Sequence, residues 1–293
     1  IQAGPEFRRE VGALAERLER PPADVAREAA ADLRGLVASI DPLATEVFTG
    51  TFRPLHARAW EVHADTAGLE RLRELNKRHP LVFLPSHRSY VDPLVLADVL
   101  AAHDFPRNHV LGGDNLRFWP VAPLAKRAGT IFIRRRFGDD EVYKLAVREY
   151  LAFLLAKRFN LEWYMEGGRS RTGKLRPPRH GLLGYVADAV EHGRVDDVLL
   201  VPVSLTYDQL HEVSSMAAEQ AGAKKQAEGL KWLAEYARSQ RRTHGGSAHV
   251  RFGEQIAIRS WLPAAGASDE ENRAALHKLA FEVAVGINRT SPL

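Results

Sequence analysis

The sequence predicts an α/β fold, a largely parallel central sheet flanked by helices with a helical N-terminal portion, and three observations carry that expectation. Residues 8–79 are rich in Ala, Leu, Arg and Glu, with apolar positions at helical spacing. After Pro80, short apolar runs alternate with longer helical patterns, the rhythm of strand-helix-strand units. Polar turns follow those runs, and in sheets of this kind ligands bind beyond the carboxyl ends of the strands. The expected division is a helical portion over 1–68 and a domain over 69–293 that carries the chemistry. With 293 residues, 45% of them hydrophobic, the chain can build a sizeable core.

In chain order, Ile1–Phe7 (IQAGPEF) reads as an appended leader, and VGALAERLER, VAREAAADLRGLVASI and LERLRELNKR read as helices. Leu81–Leu84 is an apolar strand that breaks into the turn of L-P-S-H-R-S-Y-V-D-P. Asp92 and Pro93 read as N-cap and N1 of a helix through PLVLADVLA. His109–Leu111 is the next strand. Asn115–Leu124 (NLRFWPVAPL) then offers Phe118, Trp119, Val121 and Leu124, either to an acyl chain or bilayer interface or to ordinary core packing. Thr130–Ile133 is a strand of buried type ending in Arg134, Arg135 and Arg136, and Glu141–Lys157 is a helix. Leu161–Met165 is a strand running into Glu166-Gly167-Gly168-Arg169-Ser170, Val198–Leu205 a long one with Pro202 inside it, and His249–Phe252 the last. Thr243–Ser247 and Ala264–Ser268 read as flexible loops. The end after Asn288 (RTSPL) stops without a closing element, as a longer protein cut there would.

The chemistry is concentrated in four turns. His87 and Asp92 share the first. An aspartate there can accept from one ring nitrogen of the histidine, fixing its tautomer and leaving the other as a base aimed at a hydroxyl; a loop with an ordinary cap and a surface histidine would read the same way. The arginines after Ile133 match phosphate oxygens with their forked donors, or are solvated charges at a strand end. Gly167 and Gly168 permit close backbone approach to a ligand. G-R-S-R-T-G-K-L lies one residue short of a nucleotide-binding P-loop, but Leu175 replaces the magnesium-holding hydroxyl and Pro177-Pro178 would interrupt the following helix. In the fourth run only Pro202 and Tyr207 stand out from an ordinary buried strand.

A net charge of +4 is modest, yet basic residues cluster at Arg134–Arg136 and at Arg169, Arg171, Lys174, Arg176 and Arg179, suiting phosphate groups or anionic lipid. The absence of cysteine excludes disulfides, thiolate metal ligands and a cysteine nucleophile. No stretch reaches the ~18 apolar residues of a membrane span and no secretory leader is visible, so membrane contact is expected to be peripheral, at the cytoplasmic face of the cell membrane.

Taken together and in order, HRSYVD, GTIFIRR, EGGRSRTGKL and VPVSLTYD resemble the four motif blocks of the glycerol-phosphate acyltransferase superfamily. The first and third blocks are closer to glycerol-3-phosphate acyltransferases of the bacterial PlsB type, and to the related dihydroxyacetone-phosphate acyltransferases, than to lysophosphatidate acyltransferases. The likeness runs from about Leu69 to Leu262, taking in Tyr207-Asp208, Glu219, Gly222, Lys224 and a late FGEQIAI strand.

The resemblance implies that His87 is the general base and Asp92 its orienting partner. Arg135, with Arg134, would bind the substrate phosphate; Glu166, Gly167, Arg169 and Ser170 would complete the acceptor site, and Pro202 would shape its wall. Strand alternation leaves open which of the three arginines points inward. The implied reaction is direct acyl transfer from acyl-CoA or acyl carrier protein to the sn-1 hydroxyl of glycerol 3-phosphate, without cofactor or metal and without nucleic acid. The oxyanion would be held by backbone N–H groups of the turn after His87 or at the helix start, and Ser89 is the less expected covalent alternative. Rival readings are dihydroxyacetone phosphate as acceptor, a P-loop-like nucleotide-binding protein, and a module that binds nucleic acid or anionic membrane through the basic clusters.

Overall fold

Strict alternation along Leu81–Pro85 decides which helices cover which face of the sheet. Leu81 and Phe83 join one buried cluster, Val82 and Leu84 the other, because successive strand side chains point to opposite faces. In the computed structural model the described residues are 1–2, 4–57, 59–170, 172–208, 246–264 and 266–291. Arg171, Glu219, Gly222, Lys224, residues 243–245 and Ala265, which figure in the sequence reading, lie outside them.

The elements are α1 (Pro5–Arg17), α2 (Pro22–Leu36), α3 (Pro42–Phe52), β1 (Trp60–Ala64), α4 (Thr66–Asn76), β2 (Leu81–Pro85), α5 (Asp92–Ala102), β3 (His109–Gly113) and α6 (Val121–Arg127). They continue with β4 (Thr130–Ile133), α7 (Glu141–Ala156), β5 (Leu161–Glu162), α8 (Gly181–Glu191), β6 (Leu199–Tyr207), β7 (Gly246–Phe252), β8 (Ile256–Ala257) and α9 (Asp269–Thr290). The strands form one sheet in the order β1-β7-β6-β2-β5-β3-β4, with β8 beside β6. β2 to β6 run parallel, whereas β7 and β8 run antiparallel to β6, and β1 runs with β7. The α/β expectation is met: a mixed, mostly parallel sheet flanked by helices.

Helices α1, α2, α7, α8 and α9 share one core with Val82 and Leu84, and α4 and α5 share the other with Leu81 and Phe83. The 68/69 boundary falls inside α4, and the N-terminal helices pack into the same core as α7 rather than apart from it. The N-terminal portion also contains β1, whose WEVHA pattern buries only Trp60 and offers little apolar alternation to read. Pro5–Phe7, read as an appended leader, open α1 with Phe7 buried, and α9 continues to Thr290.

Two strands differ in length from their apolar runs. Of Leu161–Met165 only Leu161–Glu162 joins the ladder, and the chain then turns at the carboxyl edge, bringing Tyr164 and Glu166 beside the end of β2. Pro202 occupies the gap on β6 between Leu199–Leu200, paired with β8, and Val203–Tyr207, paired with β7. A residue lacking an N–H fits such an interruption. No helix of the described residues is long and apolar enough to cross a membrane.

Candidate active site

The site begins where β2 ends. Ser86 N–H donates to Val203 O at 2.9 Å, and its hydroxyl bridges the Leu205 carbonyl and amide at 3.2 and 3.0 Å. With β2 tied to β6 in this way, the next residue, His87, leaves the sheet at a defined place. Its backbone is gripped from both sides: the N–H donates to Glu166 Oε1 at 2.8 Å, and the carbonyl accepts from Ser170 N–H at 2.8 Å.

Asp92 is completely buried and its carboxylate turns back over the loop. Oδ2 lies 3.0 Å from His87 Nδ1 and accepts from the amides of Arg88 and Ser89 at 2.6 and 2.9 Å; Oδ1 accepts from Tyr207 Oη at 2.7 Å. Asp92 is therefore not the expected N-cap. Val91 holds that position, and Asp92 sits at N1, where the helix dipole still favours its charge. The same bonds remove the Arg88 and Ser89 amides as oxyanion donors, because both point at Asp92. His87 keeps Nδ1 on the carboxylate and presents Nε2 as its remaining ring nitrogen; the side chain is 19% exposed and lines a cleft of about 730 Å³.

The other predicted residues divide in two. Arg135, Gly167 and Arg169 line the cleft. Arg169 also lies over the Tyr90 ring, 3.6 Å from its centroid. Glu166, Ser170 and Pro202 do not line it. Glu166 spans from His87 N–H to Arg176 N–H (2.9 Å from Oε2), so both its oxygens brace backbone. The buried Ser170 turns its hydroxyl to Lys174 O at 2.5 Å. Pro202 faces the opposite side: methyl groups built on Gly286 of α9 and on Gly253 would come within 2.8 and 3.1 Å of its ring. Arg134 reaches the cleft, but its guanidinium is divided between Asp140 and Asp32 (3.1 Å to the latter) and stacks on Tyr143 at 4.0 Å. A phosphate would have to displace two carboxylates there.

The glycine pair lines the cleft and also lets two arginines come close. A methyl group on Gly167 would sit 2.7 Å from Arg179 Cδ and Nε, and one on Gly168 would sit 2.8 Å from Arg176 Nη1. The pair is a floor on which two arginines rest. Gly167→Ala is accordingly expected to displace Arg179 and, because φ is +63° there, to lower stability by about 1–2 kcal/mol, read from the midpoint of urea unfolding. A wild-type midpoint would contradict this.

Sequence reasoning left several cleft residues without a role. Arg179 appeared only as one member of a basic run, and among the described residues no hydrogen bond or ion pair holds its side chain. Lys144 carried no signal inside a helical pattern; it lines the cleft while paired with Glu141 at 2.6 Å. Tyr164 packs its ring on His87. Behind it lies Glu162, buried and pushed up to about 7 by that burial, with Asn108, Tyr164 and Arg107 opposing the rise. The P-loop-like stretch meets no helix after Lys174, since α8 begins only at Gly181.

The cleft has two chemistries. The turn after β4, α7 and the segment after β5 contribute Arg135, Lys144, Arg169 and Arg179, while α3, α5 and α6 contribute Phe48, Phe52, Leu94, Val121 and Ala125. Phe118 and Val121 line it, whereas Trp119 is 79% exposed.

Comparison with known proteins matches residues 65–206 to the family described as Acyltransferase, and residues 216–293 to the Glycerol-3-phosphate acyltransferase C-terminal region. Proteins named "Putative acyltransferase plsB1" from Mycobacterium bovis and Mycobacterium tuberculosis are 41% identical over 281 residues, covering 96% of this chain and 45% of theirs. The chain thus spans less than half the length of these curated relatives. The crystal structure of the 1-acyl-sn-glycerophosphate (LPA) acyltransferase PlsC from Thermotoga maritima aligns over 85% of this chain and 78% of its own, at 16% identity and a TM-score of 0.45.

Proposed function

The chain belongs to the acyltransferase family, in the branch that carries the glycerol-3-phosphate acyltransferase C-terminal region, and from that premise we propose that it transfers a fatty acyl group from an acyl thioester to the sn-1 hydroxyl of glycerol 3-phosphate, giving 1-acyl-sn-glycerol 3-phosphate. The observation that carries the reading is the His87–Asp92 pair, bonded at 3.0 Å, on a cleft lined by cations from some elements and by apolar side chains from others. An acceptor with a phosphate and a donor with an acyl chain need both linings.

His87 Nε2 takes the hydroxyl proton as the oxygen attacks the thioester carbonyl, and Asp92 steadies the resulting imidazolium through Nδ1. Collapse of the tetrahedral intermediate breaks the carbon–sulfur bond. The imidazolium then returns its proton to the departing thiolate, so the products are ester and free thiol. No group on the protein is acylated, and Ser89 has no part in the reaction.

Arg135 is the residue assigned to the acceptor phosphate, with Arg169 and Arg179 beside it on the same cleft. A charge-assisted bond of this kind is worth roughly 1.5–3 kcal/mol, so Arg135→Ala is expected to raise the KM for glycerol 3-phosphate roughly 10- to 100-fold with a smaller change in kcat. Arg134→Gln, at a side chain already held by two carboxylates, is expected to leave that KM within a few-fold of wild type. An unchanged KM in Arg135→Ala would remove it from the phosphate site.

The defining experiment is transfer of a labelled acyl group from acyl-CoA and, separately, from acyl carrier protein to glycerol 3-phosphate, with dihydroxyacetone phosphate as competing acceptor. Preference for the latter would reassign the acceptor, and transfer to neither would refute the reading. Running it with anionic lipid vesicles tests the peripheral membrane contact as well. The exposed Leu43, Val47 and Trp119, on or next to the α3 and α6 elements that line the cleft, are the surface assigned to it, and co-sedimentation with the vesicles is the expected sign.

A further inference from the structure

We propose that Tyr164 is a positioning residue for the base, its ring face holding the His87 imidazole and stabilising it once protonated, with the ring pinned from behind by Glu162. The proposal rests on the reading of His87 as general base. The two rings lie 4.4 Å apart between centroids with their planes at 39°, so the phenol presents much of its face to the imidazole. An aromatic face attracts a cation, the more so where water is excluded. Imidazole becomes a cation only after it has taken the hydroxyl proton, so this contact favours the transition state over the ground state.

The ring is not free to swing away. Its hydroxyl lies 3.2 Å from Glu162 Oε1, and Glu162 Oε2 accepts from Asn108 Nδ2 at 3.1 Å at the foot of β3. Burial, reinforced by Glu162, raises Tyr164 well above the ordinary phenol range, so Tyr164 is the donor in that bond. When ionised, Glu162 places negative charge behind the ring, with Arg107 favouring that charge and Asp92 opposing it. Around His87 the other titratable groups meet an edge or the backbone: Asp92 of α5 on Nδ1, Tyr207 of β6 through Asp92, and Glu166 on the amide. Arg135, Lys144, Arg169 and Arg179 are the cations of the same cleft. Tyr164 meets the face of the ring.

The test is titration of the His87 ring nitrogens by NMR in the full chain, alongside the pH dependence of kcat/KM for acyl transfer. Tyr164→Leu is expected to lower the His87 pKa by roughly 0.5–1 pH unit, moving the acid limb of kcat/KM to lower pH by a similar amount. Tyr164→Phe, which keeps the ring, is expected to retain most of the wild-type value. Pentafluorophenylalanine at position 164 keeps the ring's bulk without its negative face and is expected to behave as leucine does. It decides the matter should the leucine variant not fold. An unmoved His87 titration in a folded leucine or fluorinated variant overturns the proposal. The titration needs no substrate, so a wild-type protein that fails to transfer acyl groups sinks the functional reading while the ring contact is still decided.

Discussion

Replacing His87 with alanine is expected to lower kcat by ~10² to 10⁴-fold, the usual worth of a general base, while leaving the fold in place. The structural half of that expectation comes from how the turn is held. Glu166 and Ser170 grip the backbone N–H and carbonyl of His87, neither of which the substitution removes. Asp92 also keeps the amides of Arg88 and Ser89 and the hydroxyl of Tyr207. The variant should therefore unfold in urea near the wild-type midpoint, and activity measured at saturating donor and acceptor separates loss of chemistry from loss of binding. Wild-type turnover in a folded His87→Ala protein would end the mechanism.

Asp92 offers a second large effect, with a difference between two variants that only the geometry supplies. In Asp92→Asn the amide oxygen can take the place of Oδ2, accepting from His87 Nδ1 and the two loop amides, while the new NH₂ donates to Tyr207, whose hydroxyl rotates to accept. The fold survives, but the charge that steadies the imidazolium is gone, and kcat is expected to fall by about 10² to 10⁴-fold. In Asp92→Ala the same donors are left buried and bare at about 1–3 kcal/mol each, so this variant is expected to lose stability as well, read from the urea midpoint. An asparagine variant with full activity would show that the carboxylate only builds the loop.

How far the site could be read in advance depended on whether a residue's partner lay close in the chain. His87 and Asp92 are five apart, on a strand-to-helix turn whose apolar run, polar break and Asp-Pro helix start are all local signals. Arg134 was expected beside Arg135 at the phosphate, and of the two carboxylates that engage it one, Asp32, lies 102 residues away. Glu166 and Ser170 were expected, from the resemblance, to complete the acceptor site. Yet their polar atoms were already required by backbone groups of the turn and of the segment after it, and no spacing rule announces such a brace. Tyr207, whose hydroxyl completes the shell of Asp92, is 115 residues from it.

By itself the sequence determined the α/β class and the carboxyl-edge location of the chemistry, because apolar periodicity and turn residues act over a few neighbouring positions and dictate strand, helix and break. It also determined that a histidine and an aspartate would share one turn. The tertiary structure alone decided which way each polar side chain faces. It seats Arg179 and Arg176 on the glycine pair, turns Pro202 to α9, commits Arg134 to two carboxylates and sets Tyr164 against His87. These choices follow from the order in which β5, β2 and β6 lie side by side, and from the requirement that every buried polar group find a partner wherever the packed chain brings one.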